Sequence, residues 1–467
     1  MELYREKDIR IVTENIDKIV KEHKKQKFLK VKVTKKEYDR NTRIVLNFIR
    51  KNKNIIYGGY AQDQLLKSKN KEGIYDQYSN SDIEFYSTTP LKDIIALSQF
   101  FHEKKFGGAL GISVGEAQHD GTYTLFINGH GYCDVTFMPS YIYKNIPIIF
   151  YKTFKFIHPI AKTIDFYREF TDPLLSYWRF SDKSTFSRFR KNLKAFKTSD
   201  LINIPKSTPK LEYLDEKISK NIRDLIVKNG QSTIIVGSYA FNYFLNFDKS
   251  KPLNVTYYEL ISVNYKEDLL YFRTELKKLV DKKSKIEAIE YYPFFQYYYR
   301  KIEFFITKNN KKTLLLVLYQ SKDICLPYKN LPSKNVDIGS FQLTLLYAFI
   351  NYLYYYIYQN KDKKFYYSYM IVELLKRKNS YLTSKNKTVL DDTPFKEFIF
   401  NCKGEAVDFG RKSRIQNTYK RQKRGYFSYR FDPSKDSEPN YERMDKYKNI
   451  SGDKIIDLAK LTINRNK

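Results

Sequence analysis

NIIYGGYAQDQLL (Asn54–Leu66), then NSDIEFYS (Asn80–Ser87) and GTYTLFINGHGYCDVTF (Gly121–Phe137), decide how this chain reads. Asn54 to Tyr57 is a short apolar strand, and Gly58 and Gly59 follow it at a sharp turn into a helix. Such a turn calls for residues without a Cβ. It leaves backbone N–H groups free at a helix N-terminus, which suits a phosphate. Tyr60 and Ser81 flank this region and join Gly58 and Gly59 as candidate nucleotide contacts. Asp82 and Glu84 stand two apart on a predicted strand, so they share one face, while Ile83 and Phe85 point into a core. Asp134 lies on a third predicted strand, with Val135 and Phe137 facing the other way. Carboxylates converging in this manner can hold two divalent cations about 3.5–4 Å apart.

Each part is common alone. Many turns use Gly-Gly, and surface strands alternate acids with apolar residues. The order strand, Gly-Gly, helix, polar loop, Asp-apolar-Glu, then a further strand with Asp is far more demanding. It sets phosphate donors and metal ligands on adjacent strand ends. One cation held by Asp82, Glu84 and Asp134 would lower the pKa of an attacking hydroxyl, and one held by Asp82 and Glu84 would bind a triphosphate. Phosphoryl transfer depends on positioning and charge, so no histidine or cysteine nucleophile is required. The residues thus point to a metal-dependent nucleotidyltransferase.

Composition agrees. Lys plus Arg number 84 against 52 Asp plus Glu, a formal net charge of +32 over 467 residues. That excess favours a polyanion, nucleic acid above all. Coding bias toward Lys, Asn, Ile and Tyr accounts for part of it. Cys133, Cys325 and Cys402 are far apart in no paired spacing, so neither a zinc site nor a disulfide framework is expected and a reducing compartment fits. The N-terminus MELYREKDIR carries no apolar signal region, and Leu343–Tyr358 is read as a buried helix rather than a membrane span.

The expected class is α+β, with two nucleotidyltransferase-like α/β lobes, the first active and the second degenerate, plus helical N-terminal and linking segments. The spans are 1–53 (helical), 54–150 (catalytic palm), 151–230 (helical linker), 231–340 (degenerate lobe) and 341–467 (helices, then a basic tail). Ile9, Val12, Ile16 and Val20, and then Ile44, Val45, Phe48 and Ile49, recur at helical spacing and predict a helical lead-in packed on the back of the catalytic sheet. The second lobe rests on an internal repeat. STIIVGSYAFNYFL (Ser232–Leu245) matches the glycine turn, and NVTYYELIS (Asn254–Ser262) matches NSDIEFYS, with Tyr257 for Asp82 and Glu259 for Glu84. TLLLVLYQS (Thr313–Ser321) then places Leu316 where Asp134 stands. A last helical pattern is read at Ile455–Leu461.

Two basic stretches are candidates for RNA. Asp172–Asn192 carries Arg179, Lys183 and Arg188, and the tail carries Arg421, Lys423 and Arg424 among tyrosines and phenylalanines. Cations track phosphates and aromatic faces stack on bases. A solvated face accounts for the same residues.

GGYAQDQLL, SDIEFYS, HDGTYTLFIN and CDVTFMP, together with DPLLSYWRFSDKSTFSRFRKN, resemble the catalytic subunit of viral poly(A) polymerases, in the polymerase-beta-like nucleotidyltransferase superfamily. The giant-virus, mimivirus-like version is the nearer match and the poxvirus enzymes the more distant. The resemblance implies template-independent addition of AMP from ATP to an mRNA 3′ end or oligo(A) primer, with Mg²⁺ or Mn²⁺. It implies Gly58 and Gly59 at the nucleotide loop and Asp82, Glu84 and Asp134 as metal ligands. It also implies a homodimer without a membrane, working in the host cytoplasm, viral factory or virion and not secreted. Glu84 stands where many superfamily members carry Asp. Two other readings compete: a CCA-adding enzyme or oligonucleotide synthase of the same superfamily, and a non-catalytic RNA-binding relative.

Overall fold

The computed structural model describes residues 5–31, 35–75, 81–117, 121–174, 183–230, 232–246, 255–279, 284–321, 324–331, 334–405, 430–436 and 454–457. The chain forms two compact units, one comprising Met1–Phe137, Ile148–Ile157 and Ser428–Tyr441, the other the remainder. Both are α+β.

The first unit contributes β1 (Ile55–Tyr57), β2 (Ile83–Ser87), β3 (Ile112–Glu116), β4 (Thr122–Ile127), β5 (His130–Phe137), β6 (Ile148–Tyr151) and β7 (Phe154–Ile157). The second contributes β8 (Thr233–Val236), β9 (Tyr258–Ser262), β10 (Ser284–Tyr291), β11 (Lys301–Lys308), β12 (Lys311–Gln320), β13 (Leu326–Leu331), β14 (Val336–Gly339) and β15 (Cys402–Lys403). Two late strands, β16 (Arg430–Phe431) and β17 (Lys454–Asp457), add to one sheet each. The first sheet runs β16-β3-β4-β5-β2-β1-β7-β6 and the second β15-β13-β14-β8-β9-β12-β11-β10-β17.

Reversed, the second order repeats the first strand for strand. β2 and β5 are parallel, as are β9 and β12. β1 is antiparallel to β2 and parallel to β7, and β8 is antiparallel to β9 and parallel to β14. Even the irregularity recurs: β4 and β5 slip register between Leu125 and Phe126, β11 and β12 between Phe304 and Phe305. The scaffold beneath repeats too. Ser87 hydrogen-bonds Asp93 in the first turn of the helix Pro90–Glu103, and Ser262 donates to Asp268 in the first turn of Tyr265–Lys278.

Alternation builds each sheet. Ile83 and Phe85 on β2, and Cys133 and Val135 on β5, are fully buried, against the helix Pro90–Glu103 with Ile94, Ile95, Leu97 and Phe101. The helix Lys35–Asn52 packs through Val45 and Ile49, with Phe48 6.3 Å from the Phe85 ring. In the second unit the helix Phe341–Ile357 is buried along nearly its whole length, and among the described residues no helix is long and apolar enough to cross a membrane.

Four expectations differ from the structure. The helix Glu6–Val31 leaves Ile9, Val12, Ile16 and Val20 exposed, so its apolar stripe packs on no sheet among the described residues. The hairpin β6–β7, where a linker helix was expected from 151, carries the first sheet onward by pairing with β1. Lys454–Asp457 is an edge strand on β10 where a helical pattern was read, its chain captured by unpaired backbone groups of that strand. Cys325 and Cys402 form a disulfide, Cα atoms 5.4 Å apart, although no pairing was expected. The pairing of Pro327 with Cys402 between β13 and β15 brings them together over 77 residues, a contact that spacing does not encode. The compartment argument drawn from the cysteines falls with it.

Candidate active site

The site begins at the corner between β1 and the helix Gly58–Ser68. Gly58 has φ +69°, a left-handed conformation that side chains resist, and a Cβ there would stand 1.6 Å from the Glu84 Oε2. The chain can turn this tightly against β2 only with glycine. Gly59 then donates its N–H to Glu84 Oε2 at 2.8 Å, a charge-assisted bond at a helix N-terminus.

Glu84 pairs with Asp134 across the parallel β2–β5 ladder, so both side chains leave the same face. Asp82, two residues before Glu84, shares that face and is exposed. Thr124, opposite Asp134 on β4, donates its hydroxyl to Asp134 Oδ1 at 2.6 Å. Burial pushes the Asp134 carboxyl above the usual carboxylate range, Thr124 draws it back, and the negative charge of Asp82 raises it again. The two acids therefore feel each other through the site.

The corner is lined by hydroxyls that sequence reasoning missed. Tyr57 and Thr136 approach at 2.6 Å, Thr122 and Thr136 at 2.9 Å, and Tyr57 stacks on Tyr86 with ring centroids 3.9 Å apart. The signal was present in YTLF and DVTF: Thr124 and Thr136 alternate in phase with Asp134, so they had to share its face. Tyr60 is half-buried in the first helical turn, its phenol pushed up to about 12 by burial and the charge of Asp63. Ser81 is buried, and its hydroxyl donates to the Asp82 carbonyl at 2.8 Å, turned to backbone.

The carboxylates supply hard oxygen donors, the type suited to Mg²⁺ or Mn²⁺. The charge of Asp82 acts on Asp134, and a cation would offset it. Among the described residues, no three His, Cys, Asp or Glu side chains are gathered as a formed metal cage. Glu84 is turned to Gly59 and Asp134 to Thr124. The donor chemistry fits the cations, and the three carboxylates share a face without converging on one point.

The RNA candidates fare unevenly. Arg188 is half-buried on the helix Lys183–Ala195, which packs Phe186 and Phe189 against Phe170 of Pro159–Thr171. Lys183 opens that helix, but its side chain lies outside the described residues, as do Arg179, Arg421, Lys423 and Arg424.

The second unit holds the matching corner. Gly237 has φ +62°, and a Cβ there would meet Glu259 Oε2 at 1.8 Å. Glu259 is fully buried and pairs with Val317, while Glu303 pairs with Val317 from the other side. Glu259 thus matches Glu84, Val317 matches Asp134 and Glu303 matches Thr124. Leu316, expected at the Asp134 position, instead matches Cys133. The apolar run Leu314–Leu318 offers no polar residue by which sequence could set the register.

Residues 43–176 match the family model described as "Poly(A) polymerase catalytic subunit", and residues 197–465 match "APMV, Putative poly(A) polymerase, catalytic subunit, C-terminal". The "Putative poly(A) polymerase catalytic subunit" of Acanthamoeba polyphaga mimivirus is 30% identical over 458 residues, covering 88% of this chain and 76% of that protein. The African swine fever virus protein of the same description is 31% identical over 153 residues, 33% of this chain and 31% of its own. The crystal structure of the Megavirus polyadenylate synthase superposes with a TM-score of 0.84 at 28% identity, covering 99% of this chain and 94% of that one. The glycine corner, the carboxylate face and these likenesses over nearly the whole length agree: this chain belongs to the viral poly(A) polymerase catalytic subunits, which are polynucleotide adenylyltransferases.

Proposed function

We propose that the carboxylate face of the first unit adds AMP from ATP to the 3′ end of mRNA, without a template, through two divalent cations. The observation that carries this is the register of Glu84 against Asp134, with Asp82 on the same face beside the Gly58 corner. Asp82, Glu84 and Asp134 would hold Mg²⁺ or Mn²⁺, which supplies Lewis-acid activation of the primer hydroxyl and charge stabilisation of the leaving pyrophosphate. Gly58 and Gly59 bring backbone N–H groups to the triphosphate, Gly59 trading one anionic acceptor, Glu84, for a phosphate oxygen. Thr124 fixes the rotamer of Asp134 through its hydroxyl. Tyr60 presents a neutral phenol beside the glycines, and Ser81 holds the backbone that enters Asp82.

The second unit serves this reading as a degenerate copy. It retains the glycine and one glutamate, and Tyr257 and Val317 replace the other two acids. A homodimer, RNA contacts from Arg188 and the basic tail, and work in a viral factory or virion complete the proposal, supported by the family likeness and the charge of +32.

The test is a short oligo(A) primer with each NTP in turn and Mn²⁺. Long ladders with ATP alone are expected. Asp82→Ala and Asp134→Ala each abolish the ladder while RNA binding survives. Short defined or cyclic products would favour a CCA-adding enzyme or an oligonucleotide synthase, and an active Asp134→Ala variant would sink the carboxylate assignment.

A further inference from the structure

We propose that Asp63 and Tyr38 are positioning residues that clamp the two ends of the segment leading into Asp82; this rests on the reading of Asp82 given above. Asp63 lies on the helix that starts at the glycine corner and is 2% exposed. Its Oδ1 accepts the backbone N–H groups of Ile74 at 2.7 Å and Tyr75 at 3.2 Å. Its Oδ2 accepts Lys67 Nζ at 2.6 Å and Gln64 Nε2 at 3.1 Å. The loop comes so close that a Cβ on Gly73 would stand 2.3 Å from Oδ1. At the far end, Tyr38 of the helix Lys35–Asn52 donates its hydroxyl to the Ser81 carbonyl at 2.6 Å. The Tyr38 ring rests on Tyr132 of β5, centroids 6.0 Å apart.

These contacts have a purpose that packing alone does not explain. A buried carboxylate is costly unless its oxygens are satisfied, and one oxygen of this one is given to two consecutive loop amides while its own helix satisfies the other. Asp82 is exposed and stands one residue before β2, so the β2–β5 ladder, which starts at Ile83, does not fix it. What fixes it is the chain before it. Ser81 is held by Tyr38, and Ile74 and Tyr75, earlier in the chain, are held by Asp63. Asp63 ties Ile74 and Tyr75 to the glycine-corner helix, and Tyr38 ties Ser81 to the helix Lys35–Asn52, so each end of the segment is anchored to a helix of the same unit.

Asparagine at position 63 keeps one acceptor but turns an amide N–H₂ toward either Lys67 or the loop amides, donor against donor. The decisive experiment uses the full chain, oligo(A) primer, ATP and a Mn²⁺ titration. Asp63→Asn and Tyr38→Phe are each expected to lower kcat about tenfold, on the scale of small misplacements of a reacting group. The half-saturating Mn²⁺ concentration should rise, with the KM for primer within about twofold of wild type. A fold defect alone reduces the number of active molecules and leaves the half-saturating Mn²⁺ where it was. Amide exchange at Ile74 and Tyr75 should quicken in Asp63→Asn and stay slow in Asp82→Ala. If Asp63→Asn fails to fold, Tyr38→Phe, which loses one oxygen only, decides the kinetic question. Faster exchange with unchanged kcat and Mn²⁺ dependence, or unchanged exchange, overturns the clamp. A wild-type chain that makes no product overturns the reading of the site instead, and the exchange data still judge the contact.

Discussion

The two glycine corners share a backbone and differ in what fills them. At Gly58 the acids lie toward solvent and small donors: Asp82 is exposed, Glu84 is half-buried and accepts from the Gly59 N–H, and Asp134 accepts from the Thr124 hydroxyl. At Gly237 every equivalent position is filled by the protein. Tyr257 replaces Asp82 and bonds Tyr367, 2.7 Å between hydroxyls. Glu259 Oε1 accepts from Tyr319 at 2.9 Å, Tyr367 at 2.9 Å and Asn351 at 3.1 Å. Where Thr122 and Thr124 stand in the first sheet, the second carries Lys301 and Glu303, joined at 2.9 Å and 1% and 5% exposed. Lys301 lies 4.1 Å above the Tyr354 ring and 4.4 Å above Tyr291, and Lys363 enters from the helix Lys361–Ser384, 4.9 Å above Tyr355. The first corner meets Glu84 with a backbone N–H and Asp134 with a hydroxyl, an oxygen-donor set suited to cations from solution. The other has acquired ammonium groups of its own, held by aromatic faces.

The largest expected effect tests whether that internal cation is structural. Lys301→Met takes the ammonium group from the buried Glu303 carboxylate and should lower stability by about 3–5 kcal/mol, read from urea unfolding of the full chain. Adding Glu303→Gln removes the stranded charge and should restore most of the loss, a coupling that a double-mutant cycle measures. In the first unit Thr124→Val, at the matching position, removes a single hydrogen bond and should cost about 1 kcal/mol. Equal costs in the two units would erase the distinction.

The sheets also differ at one edge. β15 extends the second sheet beyond β13 and carries Cys402, bonded to Cys325, whereas the first ends at β6 among the described residues. Closing a loop over 77 residues restricts the unfolded chain, so reduction, or Cys402→Ser, should lower stability by about 2–4 kcal/mol. Activity on oligo(A) should persist, because no candidate ligand lies on that edge. Lost activity at unchanged stability would show that the edge matters to the reaction.

Much of this contrast was legible in the chain. Strand, glycine, helix and acidic strand recur in order, and the reason is physical: the turn needs glycine and the faces need alternation. Glu84 and Glu259 could be paired by eye because each sits between apolar neighbours on a strand following its glycine. Val317 could not be placed, since a run of leucines has no phase. Lys301 and Glu303 alternate with apolar residues in RKIEF, a pattern that does not by itself show that both are buried. Their partners include Tyr291 on β10 and Tyr354 on the helix Phe341–Ile357, and only tertiary contact reveals the burial. The stripe on Glu6–Val31 erred the other way, because periodicity predicts a helix without naming what covers it.

The smallest effect bears on the charge of Glu259 itself. Burial raises its carboxyl above the ordinary glutamate range, against the hydrogen bonds from Tyr319 and Tyr367 and the charges of Lys363 and Lys301. A folded pKa above the unfolded one means that the group's contribution is complete below the ordinary value and is lost as pH rises through the folded value. Its Oε2 accepts no hydrogen bond, so ionisation there is poorly supported. Glu259→Gln keeps a carbonyl for the three donors and never ionises. Its stability should stay within about 1.5 kcal/mol of wild type. As pH climbs from about 5 to about 8, wild type should lose ground to the variant in urea midpoint. If wild type instead gains on the variant over that range, Glu259 is anionic in the fold, and Lys301 and Lys363 act on it as bound cations would, bringing the two corners closer in charge than their exposure implies.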